Sequence, residues 1–150
     1  MILLYLIITI EIVIAININK NNMRIKSIKV INAGVANSNG IYKIQSPDII
    51  PKGFSKVCKK MLWNDVIMWE QLSDLKSPWY LKDDDAYIYY NKTDKKYWLD
   101  APEGHGLYTA FVGDANTNND GNGNALPPTK GFESLSDQYG NAPTLEYLTE

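Results

Sequence analysis

The chain has 150 residues, enough for one domain with a real core and too few to argue for two. Its formal charge is -2 and its pI is near 5.4, so it lacks the clustered Lys and Arg that nucleic-acid phosphates demand. The single cysteine, Cys58, excludes an internal disulfide, and the core must come from a composition that is 45% hydrophobic and 11% aromatic.

Met1 to Ile16 is almost wholly apolar, with Glu11 as its one charge, and Asn17 to Asn22 is polar. A bilayer-crossing helix needs about 20 apolar residues, so this short run is read as a cleaved secretory signal over residues 1–15, with the small Ala15 before the cut. A short anchor is the alternative, and only an uncleaved segment would give the protein a membrane partner. Residues 16–26 then act as a linker and 27–150 as a single β-rich domain. Cleavage removes Glu11, so the mature charge is 15 basic minus 16 acidic, or -1.

Ser27 to Ile31 alternates polar and apolar residues, and the pattern resumes at Ile41 to Gln45 after a break that holds Asn39-Gly40. That dipeptide tolerates positive φ, so two strands around a turn or longer loop are expected. Ser46 to Gly53 carries two prolines and is a connection or an edge. Phe54 to Met61 and Val66 to Leu72 flank Trp63-Asn64-Asp65 and are expected to form a third strand pair, because β-branched and aromatic residues dominate both arms. A short helix over Val66 to Leu75 is the alternative, from the spacing of Val66, Trp69 and Leu72.

The stretch from Trp79 to Asp100 has the strongest structural signal. Two aromatic runs, Ala86 to Tyr90 and Lys96 to Asp100, flank the polar Asn91 to Lys95 and predict a β-hairpin. Its turn contains Asn91-Lys92-Thr93, the one N-glycosylation acceptor, which a hairpin tip would expose to solvent on a secreted protein. Ala101 to Gly106 is a turn by chemistry, Leu107 to Val112 is a further strand, and the Asn-rich loop 114–124 shows no apolar periodicity. The proline-bearing tail from Pro127 is expected in extended edge segments, with Phe132, Leu145 and Tyr147 plugging the core. Short strands at close spacing predict an all-β domain, a small antiparallel sandwich or barrel-like meander, after an N-terminal apolar signal helix.

No residue grouping predicts catalysis. Asp83-Asp84-Asp85 reads as a solvated turn that discourages edge pairing. His105 is the only imidazole, and a lone histidine makes neither a zinc site nor a triad. Asn116-x-Asn118-x-Asp120-Gly121 imitates the start of a calcium loop, but Pro127 stands where a bidentate Glu is needed. Neither a metal nor a cofactor is therefore expected. Cys58 is read as a buried small hydrophobe, with a thiol bridging to another chain as the alternative.

Tyr89 and Tyr90 must point to opposite sides of a strand, so the aromatics exceed what one core face absorbs. The surplus is expected to form a protein contact, to stack on sugars, or to cover a second sheet. Trp79, Tyr90 and Trp98 are the candidate contact residues.

Val30-Ile31-Asn32-Ala33-Gly34, Asn39-Gly40-Ile41-Tyr42, the hairpin ending Tyr97-Trp98-Leu99-Asp100, and Pro127-Pro128-Thr129-Lys130-Gly131-Phe132 form a recognisable series. It resembles a small aromatic β-repeat of protist, algal and invertebrate proteins, with Phe132 in place of the usual Trp and a long insertion between Gly40 and Trp79. The resemblance implies a β-rich interaction module without an assigned reaction. The expected protein is thus a secreted, non-enzymatic domain of an extracellular or cell-surface assembly, binding other proteins or further copies of itself. A carbohydrate-binding module is the alternative.

Overall fold

The computed structural model describes residues 25–112 and 126–149. The expected signal segment, most of the expected linker and the Asn-rich loop 114–124 lie outside them. Eight antiparallel strands form one curled sheet, a half-barrel: β1 (Ile25–Ile31), β2 (Gly40–Gln45), β3 (Trp79–Lys82), β4 (Tyr87–Asn91), β5 (Lys96–Asp100), β6 (Gly106–Phe111), β7 (Glu133–Ser134) and β8 (Thr144–Thr149). Their order across the sheet is β7-β6-β5-β4-β3-β2-β1-β8, so the chain meanders until its last strand crosses to the far edge beside β1. The barrel-like meander is thus the form adopted, with a single sheet in place of the two layers of a sandwich.

Strict alternation along β4 and β5 builds both faces of the sheet. Ile88, Tyr97 and Leu99 join Ile28, Val30, Tyr42, Tyr80, Tyr108 and Leu145 in one buried cluster. Side chains from β6 and β8, near opposite edges, meet in this cluster because the sheet curls around it. Phe132 and Leu145 are buried there and Tyr147 packs against it, as the tail was expected to do, and Leu126 is buried with them. The crossing chain is held by the Tyr108 hydroxyl, which accepts from Val35 N at 2.9 Å and donates to Tyr139 O at 2.8 Å. It also packs on Gly34, where an added Cβ would stand 2.3 Å from Tyr139 O.

Removing the Tyr108 hydroxyl leaves both backbone groups unmatched. Tyr108→Phe is therefore expected to cost ~1–3 kcal/mol, read as a lower urea midpoint with an unchanged slope. A midpoint equal to that of the parent protein would show that the strap contributes nothing.

The expected third strand pair is instead a helical hairpin, α1 (Lys52–Lys60) and α2 (Asp65–Leu72). The physical reason lies in periodicity. Phe54 and Cys58, one turn apart, are buried, while Lys52, Lys56, Lys59 and Lys60 face solvent. Pro51 precedes the first turn, and Asn64 caps α2 by accepting from Ile67 N at 3.0 Å. Of the expected turn Trp63-Asn64-Asp65, the first two residues lie between the helices and Asp65 opens α2. The hairpin packs on the outer sheet face and buries Phe54, Cys58 and Trp69 against Trp79, Tyr87 and Tyr89.

This second cluster answers the aromatic surplus. Trp69 packs edge-on to Phe54 at 5.0 Å and lies 5.4 Å from Tyr89, while Trp79 packs edge-on to Tyr87 at 6.3 Å. The two indole N–H groups donate to the connection after β2: Trp69 to Pro47 O at 3.0 Å, and Trp79 to Ser46 O at 2.9 Å. The Ser46 to Pro51 part of the expected Ser46 to Gly53 connection is therefore an ordered strap between sheet and helices, and Lys52 and Gly53 open α1.

Candidate functional site

The candidate contact residues do not form one surface. Trp79 is 3% exposed and buried beneath the helices, so the expectation of an exposed contact is corrected at this position. Tyr90 is half-buried on the inner side, 5.3 Å from Tyr97. Trp98 is half-buried on the outer side, packed against the second cluster. Alternation separates Tyr90 from Trp98, and the helical cover removes Trp79 as a stacking platform.

The hairpin turn also differs from its expected setting. Asn91 is 7% exposed, its Oδ1 accepts from Thr93 N at 3.0 Å, and it bridges to Ser73. Lys92 N donates to Leu72 O at 2.8 Å and its ammonium donates to Glu70 O at 2.6 Å. The turn docks on the end of α2, which covers the acceptor asparagine while Lys92 and Thr93 remain exposed. Residues 83–85 form a charged turn, with Lys43 3.8 Å from Asp83, Lys82 2.5 Å from Asp84 and Lys52 3.3 Å from Asp85.

Two cavities bring polar groups together. The larger, about 260 Å³, lies beside the β5–β6 turn and is lined by Ser38, Ala86, Glu103, His105, Leu107 and Tyr139 among others. His105 is exposed, with its ring 6.5 Å from that of Tyr139. The Ser38 hydroxyl is buried without a hydrogen bond. No base or acid touches it in the way nucleophilic catalysis requires.

The smaller cavity, about 160 Å³, lies between the helical hairpin and the outer sheet face. Register creates it: Tyr89 stands opposite Trp98, and Tyr87 opposite Asp100. Phe54, Cys58, Trp63 and Met68 reach it from the helical hairpin, while Tyr89, Trp98 and Asp100 reach it from the sheet. Gly104 lets α1 approach. It adopts φ +89°, and a Cβ there would stand 2.1 Å from Gly53 O.

Asp100 is 4% exposed, and its Oδ1 has no hydrogen-bond partner. Burial pushes its carboxyl up to about 7, with the neighbouring Tyr87 phenol acting in the opposite direction. Burial also raises the phenols of Tyr87 and Tyr89, and the Asp100 charge adds to both. Cys58 is a free, buried thiol raised by burial and then by the charge of Asp65, as expected of a buried cysteine and contrary to an activated nucleophile. The carboxylate was the feature missed in the sequence, where it reads as the polar end of a hairpin strand.

Among the described residues no group of three or more His, Cys, Asp or Glu side chains is placed to hold a metal ion. No described helix is long and apolar enough to cross a membrane. Comparison with known proteins found no matching family model, no matching curated protein and no matching solved structure.

Proposed function

We propose that the chain is a secreted, non-enzymatic domain that acts through protein contacts, and that its first partner is a second copy of itself. One observation carries this reading: the knuckle joining α1 and α2 presents five exposed large apolar side chains within seven residues. Leu62 is 93% exposed, and Met61, Trp63, Val66 and Ile67 are each about half exposed. A patch of this kind on a folded surface marks an interaction site. Leu62 has φ +60°, a left-handed conformation unfavourable for a bulky residue.

The charges around the knuckle are self-complementary. Exposed Lys59 and Lys60 end α1, while Glu70 is exposed on α2. A two-fold arrangement of knuckles would set each basic end against the partner's acidic helix. The resemblance to an aromatic β-repeat without an assigned reaction supports an interaction role, and the apolar opening of the sequence supports secretion.

Sedimentation of the full chain tests the self-contact. The parent protein is expected to dimerise below about 100 μM, within the range that modest interfaces reach. Leu62→Asp combined with Ile67→Asp should leave a folded monomer. A parent protein that remains monomeric throughout that range would overturn the proposal.

A further inference from the structure

We propose that the smaller cavity is a receptor for an organic cation, an alkylated ammonium group, with Phe54, Trp63, Tyr89 and Trp98 as aromatic walls and Asp100 as counter-charge. The site shares Trp63, at its rim, with the knuckle of the self-contact, but its other walls lie inside the fold and it does not depend on that contact.

Four of the cavity's lining residues are aromatic, one is a carboxylate, and none is Lys or Arg. Aromatic faces carry negative charge density and attract a cation placed over them, most effectively where water is excluded. Asp100 supplies a full negative charge, and its Oδ1 is buried without a hydrogen bond of good geometry, although the neighbouring Tyr87 hydroxyl, likewise unpaired, acts on it as a donor. Such an atom calls for an occupant. An anion would meet the carboxylate without a compensating donor, and a neutral apolar molecule would leave it as costly as before.

The type of cation follows from the walls. Calcium takes six or more oxygen ligands, whereas this site supplies one carboxylate in a largely carbon-lined space. A primary ammonium has three N–H donors to satisfy, but an alkylated nitrogen has fewer or none and presents methyl groups to the rings. At ~30 Å³ for each water-sized group, a cavity of about 160 Å³ admits roughly five such groups, the size of tetramethylammonium.

The walls are also preorganised. The Trp98 indole N–H donates to Asp94 Oδ2 at 2.8 Å, which fixes the ring. Tyr89 is held by Trp69 at 5.4 Å and Phe54 at 6.3 Å. Trp63 is 49% exposed, so the rim reaches solvent. The titratable groups facing Asp100 are the Tyr87 and Tyr89 phenols and the Cys58 thiol. All are raised and therefore neutral near pH 7, which leaves Asp100 to govern the pH response.

Calorimetric titration of the full chain with tetramethylammonium tests the site. Binding should be saturable, should weaken about tenfold per pH unit below 7, and should level off above it, because only ionised Asp100 attracts the cation. Asp100→Asn should weaken binding at pH 8 at least about tenfold, and Trp98→Leu should do so several-fold by removing a π face while keeping an apolar side chain. The neutral isostere 3,3-dimethylbutanol should bind at least about tenfold more weakly than choline.

Repeating the titration in Leu62→Asp/Ile67→Asp separates this site from the self-contact, since a true cation site persists in the monomer. Choline and a trimethyllysine peptide distinguish the sources. Tighter peptide binding assigns the cation to a modified protein tail, and tighter choline binding assigns it to a free small molecule. No saturable binding by about 50 mM cation, equal binding of the neutral isostere, or full affinity in folded Asp100→Asn would each overturn the proposal.

Discussion

Asp100→Asn is expected to make the protein more stable at pH 8 and to remove most of its stability change between pH 4 and 7. The folded carboxyl titrates near 7 and its ordinary value is 3.8, so between those limits the folded state binds more protons than the unfolded state. Stability from this group is therefore complete below pH 3.8, falls as pH rises, and reaches its floor above 7. The gap corresponds to ~4 kcal/mol at about 1.4 kcal/mol per pH unit. An amide of the same shape bears no charge and escapes that penalty.

At about 2–4 °C per kcal/mol for a chain of this length, the variant should melt roughly 8 °C or more above the parent at pH 8, with the two curves converging near pH 4. Thermal melts of both proteins across that range provide the measurement, and their difference isolates Asp100 from every other titrating group. Parallel curves would mean that the carboxylate finds compensation at neutral pH.

Trp69→Ala should have an effect of similar size by a different route. The indole touches Phe54, Tyr89 and Trp79 and donates to Pro47 O, so its removal opens the outer cluster and frees the strap. Truncation of a buried Trp costs ~3–5 kcal/mol. The loss should be uneven, because the inner cluster shares none of these contacts. Hydrogen exchange should show α1 and α2 losing protection first, while β1, β2 and β8 retain theirs. Equal loss in every element would show that the two faces unfold as one unit.

The aromatic hairpin was legible because its alternation is strong and its turn polar, and β4 and β5 lie where that pattern put them. The fold class followed from the same kind of signal. Strands were preferred to helices because β propensity at Val57, Val66, Ile67 and Trp69 was weighed above periodicity: the spacing of Val66, Trp69 and Leu72 offered the second helix as an alternative, while the four-residue spacing of Lys52 with Lys56 and of Phe54 with Cys58, which marks the first, went unread. Tertiary context decided the matter, since Trp79, Tyr87 and Tyr89 needed a cover that a short helical hairpin supplies. The same cover buries Asn91 and Trp79, which local sequence reads as exposed. Asp100 had a readable signal: alternation places it on the same face as Trp98. Its burial depended on Gly53 and Gly104 allowing α1 to close over that face, a contact between distant segments.

The pairing of β8 with β1 has a consequence for the protein's birth. Ile31 faces Thr144 and Val30 faces Leu145 across the sheet, although these strands come from opposite ends of the described chain. Until synthesis passes β8, the early hairpin of β1 and β2 has an open edge and no lid over Ile28 and Val30. Joining such distant segments is slow, and an unpaired edge is prone to aggregation in the interval. The nascent chain must therefore be kept from premature association until its final strand arrives.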